Sequence, residues 1–143
     1  MSFPDNCIKG ILHEDFLLDD ETVATHLFYF EMRYPRDDGW VEQSINWEDD
    51  DSVIEFTLKQ EKENGVIKFK AGVVIIPREG IDRLSKLSNV LGKISYERQS
   101  LENNNNPYHG NILLKKNVPR HTMIMIAGTL ALAVTKIVRQ NQG

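Results

Sequence analysis

At 143 residues the chain has the length of one domain and can bury about two-thirds of the surface its unfolded form exposes. Hydrophobic residues make up 41% and charged residues 27%, ordinary values for a globular protein. A net charge of -4 and a pI near 5.6 withhold the domain-wide basic signature of a nucleic-acid binder, and a single cysteine, Cys7, excludes an intramolecular disulfide.

The charge is split along the chain. Met1 to Glu63 carries 5 Lys and Arg against 17 Asp and Glu, a net of -12, while Asn64 to Gly143 carries 12 against 4, a net of +8. Such a division points to a charged partner or to internal complementarity. The beginning of the chain has no basic segment followed by an apolar one, so no secretory leader is expected. With the lone cysteine, this predicts a reducing cytoplasm.

Residues 1–20 read as an irregular N-terminal segment rich in acids. Thr22–Tyr34 fits two patterns. Val23, Leu27, Phe30 and Tyr34 fall at helical spacing, whereas Phe28, Phe30, Met32 and Tyr34 alternate as in a strand, and the aromatic density leans to strand. Trp40–Trp47 is predicted as a strand with Val41, Ile45 and Trp47 on one face and Glu42, Ser44 and Asn46 on the other. After a turn at Glu48–Asp51, Ser52–Gln60 again alternates and is predicted as a strand. Glu63-Asn64-Gly65 is a hairpin signal, since Asn-Gly tolerates positive φ. The strand Gly65–Pro77 follows, and its continuous run Val73–Ile76 predicts cover on both faces.

Ile81, Leu84, Leu87 and Leu91 change to helical spacing, with Gly92 as the stop. Lys93–Leu101 returns to a strand, Asn103–Gly110 reads as a loop and Asn111–Lys116 as a short strand. Pro119 opens a last helix, Pro119–Gln140, where its missing N–H costs nothing. Within it the fourteen residues Thr122–Thr135 carry no charge. A spanning helix needs about 20 apolar residues, so a core helix is expected, packed by an Ala127–Ala131–Thr135 ridge, and no membrane partner. The whole predicts a single α+β domain. An antiparallel sheet of five or six strands carries two or three helices, with the C-terminal helix packed on the sheet.

If Thr22–Tyr34 is a helix, the element order becomes helix, three strands, helix, two strands, helix. That order, with the segments IDRLSKLSNVLGKISYE at Ile81–Glu97 and GNILL at Gly110–Leu114, resembles the type III secretion chaperone-like fold, which includes the bacterial YbjN-like proteins. The resemblance implies a protein that binds another protein, often as a dimer. It carries no functional residue across, because no invariant catalytic or binding motif is matched.

Candidate chemistry is sparse. His13-Glu14-Asp15 with Asp19-Asp20-Glu21 can offer oxygen ligands and an imidazole to a cation, but lacks the spacing of a calcium loop, so a solvated acidic turn is expected. His13, His26, His109 and His121 are scattered without metal-ligand spacing; neither a metal nor a cofactor is predicted, nor a Ser–His or Cys–His nucleophile. The Asn103–Gly110 loop presents Tyr108 and His109, and loops on rigid frames concentrate function. Arg83 and Lys86, with Lys115, Lys116 and Arg120, form basic groups for which a solvated surface is the expectation.

Trp40 and Trp47 lie on opposite faces of their strand by parity, one in the core and one partly outside, where a tryptophan can serve a partner. The binding candidates are therefore Trp40, Trp47, Tyr108 and His109. The functional expectation is a non-catalytic protein-binding module, chaperone-like or adaptor-like, using a sheet surface and charge complementarity, and forming a homodimer. The alternatives are a small metal-dependent or ligand-binding enzyme using His13–Glu21 or Asn103–Gly110, and a toxin-neutralising or nucleic-acid-binding protein.

Overall fold

A computed structural model describes residues 3–19, 21–48, 50–99 and 105–140. Six strands, β1 (Asn6–Ile11), β2 (Trp40–Trp47), β3 (Gly72–Pro77), β4 (Ile94–Arg98), β5 (His109–Lys115) and β6 (Lys136–Val138), form one sheet in the order β4-β5-β2-β1-β3-β6. Every neighbouring pair is antiparallel. Three helices accompany it: α1 (Asp51–Leu58), α2 (Arg78–Leu84) and α3 (Arg120–Ala133). The class is α+β, with α3 packed on the sheet.

The expected irregular segment 1–20 contains an interior strand. β1 pairs with β2 on one side and β3 on the other, and Cys7, Ile8 and Ile11 are buried. Adjacent Cys7 and Ile8 point to opposite faces and both faces are covered, so no polar-apolar alternation marks the strand. Gly10 is required here, because the Phe69 ring lies 2.1 Å from where a Cβ would stand.

Most of Ser52–Gln60, predicted as a strand, belongs instead to helix α1, which ends at Leu58. Asp50 caps it, its carboxylate accepting from the Val53 N–H at 3.1 Å. Val53, Ile54 and Thr57 are buried at positions i, i+1 and i+4, a helical stripe that coexists with the alternating pattern. Asn-Gly does make a tight turn, with Gly65 at φ 80° and Gly65 N–H donating to Lys62 O. It closes only a single bridge, Glu61 to Ile67, and the strand predicted from Gly65 starts at Gly72. Val73–Ile76 is buried on both faces as expected.

Thr22–Tyr34 is neither helix nor strand. Val23 makes one bridge to Leu17, and Thr25–Phe28 is a single 3-10 turn that seats Leu27 and Phe28 in the core. The first predicted helix stops at Leu84. Tight turns follow in which Val90 takes the buried place, leaving Leu87 and Leu91 45% and 68% exposed. The last helix ends at Ala133, and Thr135 N–H then donates to Ile75 O at 2.9 Å, feeding the β-branched Ile137 and Val138 into β6. The expected ridge is therefore cut short. Ala127 is buried, Ala131 is half-buried, and Thr135 lies outside the helix. The observed element order also differs from helix, three strands, helix, two strands, helix.

Helices cover both faces of the sheet. The larger core lies between the sheet and α2, α3 and the Thr25–Phe28 turn; it includes Cys7, Trp47, Val74, Ile112, Ile126 and Leu130. On the opposite face α1 covers β1 and β3, burying Ile8, Val53, Ile54, Val73 and Ile75.

Candidate functional site

Beyond α1 the second face of the sheet turns polar. Strand parity sends Ser44 and Asn46 of β2 and His109 and Asn111 of β5 to this side, with Asn46 opposite His109 and Ser44 opposite Asn111. The end of α1, the Gln60–Phe69 excursion and Asn106 rise around them. They enclose a cleft of about 110 Å³ lined by Ser44, Asn46, Gln60, Lys68, Asn106 and His109 among others. That is well below the roughly 300–1,000 Å³ of sites enclosing drug-sized ligands.

A chain of amides builds its wall. The Tyr108 backbone N–H donates to Asn106 Oδ1 at 3.0 Å, and Asn106 Nδ2 donates to Asn46 Oδ1 at 3.0 Å. Asn46 Nδ2 then donates to Thr57 Oγ1 at 2.8 Å and to Gln60 Oε1 at 3.3 Å, while Thr57 passes its own proton to Val53 O. Asn46, Thr57 and Asn106 are all buried, so the network is costly to break. His109 Nδ1 lies 2.9 Å from Gln99 O, a carbonyl that can only accept, so Nδ1 is the donor there, and a ring holding that one proton keeps its lone pair at Nε2.

Next along the same face, Arg36 reaches Glu97 at 2.6 Å, Asp38 at 2.5 Å and Glu42 at 3.4 Å. The carboxylates of Asp38 and Glu97 push its guanidinium pKa further up. Asn111 Nδ2 donates to Glu97 Oε2 and Gln99 Oε1, but its Oδ1 is buried without a partner. Asp5–Arg78 and Glu14–Arg139 pair acids of the first half with bases of the second, whereas Arg36–Glu97 joins the halves with the signs reversed. Part of the charge split is thus spent internally.

The four sequence candidates do not form one site. His109 lines the cleft, and Tyr108 stands beside it with its ring 5.2 Å from Phe56. Trp40 is half-buried at the other end of β2, under the Lys115 ammonium at 4.2 Å. Trp47 is fully buried, donating its indole N–H to Glu97 O. Of the Asn103–Gly110 loop, residues 103 and 104 lie outside the described residues, as does Asp20 of the acidic cluster.

In that cluster Glu14 pairs with Arg139, and Asp19 accepts from the backbone N–H groups of Glu21 and Thr22, which hold its carboxyl below the usual range. Among the described residues no three His, Cys, Asp or Glu side chains gather as a metal site would require. Burial pushes the Cys7 thiol up to about 12, which suits an inert core thiol. Of the basic residues, Arg83 pairs with Glu79, and Arg120 lies over Tyr29.

Sequence reasoning singled out neither Gln60, Lys68 nor Asn106 by itself, and placed Asn46 only on the strand face opposite Val41, Ile45 and Trp47. No spacing links them, because the cleft is assembled from five separate segments.

A second feature lies on the other side of the molecule. α3 buries Thr122, Met123, Ile126, Ala127 and Leu130 and turns Met125, Gly128 and Leu132 outward. With Leu18, Val23 and Thr25 they line a groove, and Leu132 is 89% and Leu18 67% exposed. Among the described residues no helix is long and apolar enough to cross a membrane. Comparison with protein families, curated proteins and solved structures found no match to the chain.

Proposed function

We propose that the chain is a non-catalytic protein-binding module of the cytoplasm, adaptor-like or chaperone-like, and that the outward stripe of α3 is its binding surface. The observation that carries this reading is Leu132, 89% exposed on a helix with no charged side chain from Thr122 to Thr135. Contiguous exposed apolar surface of this kind marks interaction sites. The sheet surface expected from the sequence is a weaker choice, since its open part is filled by ion pairs and amides and Trp40 is already covered by Lys115. The segments behind the chaperone-like resemblance form α2, β4 and part of β5.

The partner proposed is a second copy. An uncharged stripe is complementary to itself across a two-fold axis. The test is light scattering over a concentration series at low and high salt, with Leu132→Glu as the variant. A dimer mass for the natural chain and a monomer mass for the variant supports the reading. A monomer mass for the natural chain at every concentration, in both buffers, overturns the dimer.

A further inference from the structure

The orientation of the amides in the polar cleft is set by a group that cannot be reversed. A backbone N–H only donates, so the side-chain atom of Asn106 facing Tyr108 N–H is its carbonyl oxygen. Its Nδ2 then faces Asn46, whose oxygen must receive it, leaving Asn46 Nδ2 to donate to Thr57 and Gln60. Thr57 confirms the direction, since its one proton is given to Val53 O. Gln60 must therefore present its oxygen to Asn46.

The carbonyl oxygens of the network are thus used inside it, and N–H groups are left over. Gln60 Nε2 and the second N–H of Asn106 have no protein partner among the described residues. Lys68 brings an ammonium to the same cleft, with no carboxylate paired to it among the described residues and the Phe69 ring 5.3 Å away. Among the described residues no Asp or Glu lines the cleft, the nearest acids being Glu61 and Glu63 of the adjoining depression that Gln60 and Lys68 also line. Ser44 adds a hydroxyl that can donate or accept, and His109 Nε2 adds a ring nitrogen that can accept when Nδ1 carries the ring's proton.

We infer that this cleft binds a small oxyanion, with Lys68 supplying the charge, Gln60 and Asn106 the fixed donors, and His109 Nε2 accepting a proton borne by the anion. Charge-assisted hydrogen bonds of this kind are shorter and stronger than neutral ones. The volume of about 110 Å³ admits a tetrahedral anion or the phosphoryl end of a larger molecule, but not a whole nucleotide.

The test is a titration of the full chain with inorganic phosphate at constant ionic strength, followed by amide chemical shifts, with glycerol phosphate as a parallel arm. Saturable shifts confined to residues near 44–46, 57–60, 68 and 106–109 are expected. Gln60→Glu keeps the oxygen that receives Asn46 while replacing the free donor with a negative acceptor, and should abolish binding with the fold intact. Lys68→Met, on an exposed residue, should weaken it about tenfold or more. Equal affinity in the two arms identifies the free anion as ligand, and tighter binding of the ester identifies a phosphorylated molecule. Absence of saturable shifts up to tens of millimolar phosphate, or shifts that survive both substitutions, overturns the assignment. Neither variant touches Leu132, so association through α3 is read separately.

Discussion

The indole N–H of Trp47 donates to the carbonyl of Glu97 at 2.9 Å, a bond that runs from β2 to β4 over the intervening strand β5. It is possible because the residue beneath the indole is Gly110. A Cβ there would lie 2.3 Å from both Glu97 O and Trp47 Nε1. Phe3 and Tyr96 close the aromatic cluster around the indole, at ring distances of 5.0 and 5.3 Å from it.

Gly110→Ala should accordingly be among the most damaging single-methyl changes in the chain. It forces the indole from its seat and breaks a buried hydrogen bond, at a cost of about 3 kcal/mol. Trp47→Phe leaves room over Gly110 and should cost less than the removal of the whole ring by Trp47→Ala, about 3–5 kcal/mol. Urea unfolding of the three variants checks the order.

Asn46→Ala should destabilise by about 2–4 kcal/mol, because Asn106, Thr57 and Gln60 each lose a partner in a buried network. The loss should appear in hydrogen exchange as faster opening of the α1 end and of Tyr108 N–H, ahead of the remote α3. Uniform acceleration across the molecule would contradict a local network.

Cys7 and Lys9 give the stability a distinctive alkaline profile. Burial lowers the Lys9 ammonium from 10.5 to about 8, so between those values the unfolded chain binds more protons and stability rises with pH. Burial raises the Cys7 thiol from 9.0 to about 12, so above 9 the folded chain binds more protons and stability falls. Stability should climb from pH 8 to 9, stay nearly flat to about 10.5 and drop beyond. Each slope is at most about 1.4 kcal/mol per pH unit, and that of the half-buried Lys9 is reduced by solvent. Urea midpoints for Lys9→Met should lack the rise, and those for Cys7→Ala should lack the decline.

Gly128→Ala should be stabilising, by about 1 kcal/mol, the helix-propensity difference between the two residues. The added methyl would meet Thr25 at 3.6 and 3.7 Å, ordinary contact. Thermal unfolding should move up by about 4 °C. A lower midpoint would mean that the groove beside α3 needs the space.

The strands β2, β4 and β5 were legible because alternation and aromatic content coincide with one-sided burial in Trp40–Trp47, and because the Asn-rich stretch separates the last two. Ser52–Gln60 was not, since its eight-residue helix carries an apolar set that serves period two and period 3.6 alike. The deciding signal was Asp50, three residues before Val53, which can be read as a turn or as a cap. Residues 6–11 were missed because Lys9 and Gly10 interrupt an apolar strand too short to show a period. In the cleft only His109 was legible, and it stood out as a loop imidazole; Gln60 and Lys68 gain meaning only when the fold brings them to Asn46.

β6 has three residues, yet it alone pairs with the outer side of β3, meeting Val73, Val74 and Ile75. Without it the sheet would end in Val-Val-Ile-Ile, a flat, β-branched and uncharged run of the sort that recruits other chains into intermolecular ladders. Lys136, placed opposite Ile75, adds a charge at that margin, the residue type that most often keeps sheet edges from growing. Because β6 follows the other five strands in the chain, a nascent chain exposes this run until residues 136–138 emerge. A chain cut after Ala133 would uncover that edge of β3 and should be more prone to intermolecular strand pairing than the full chain.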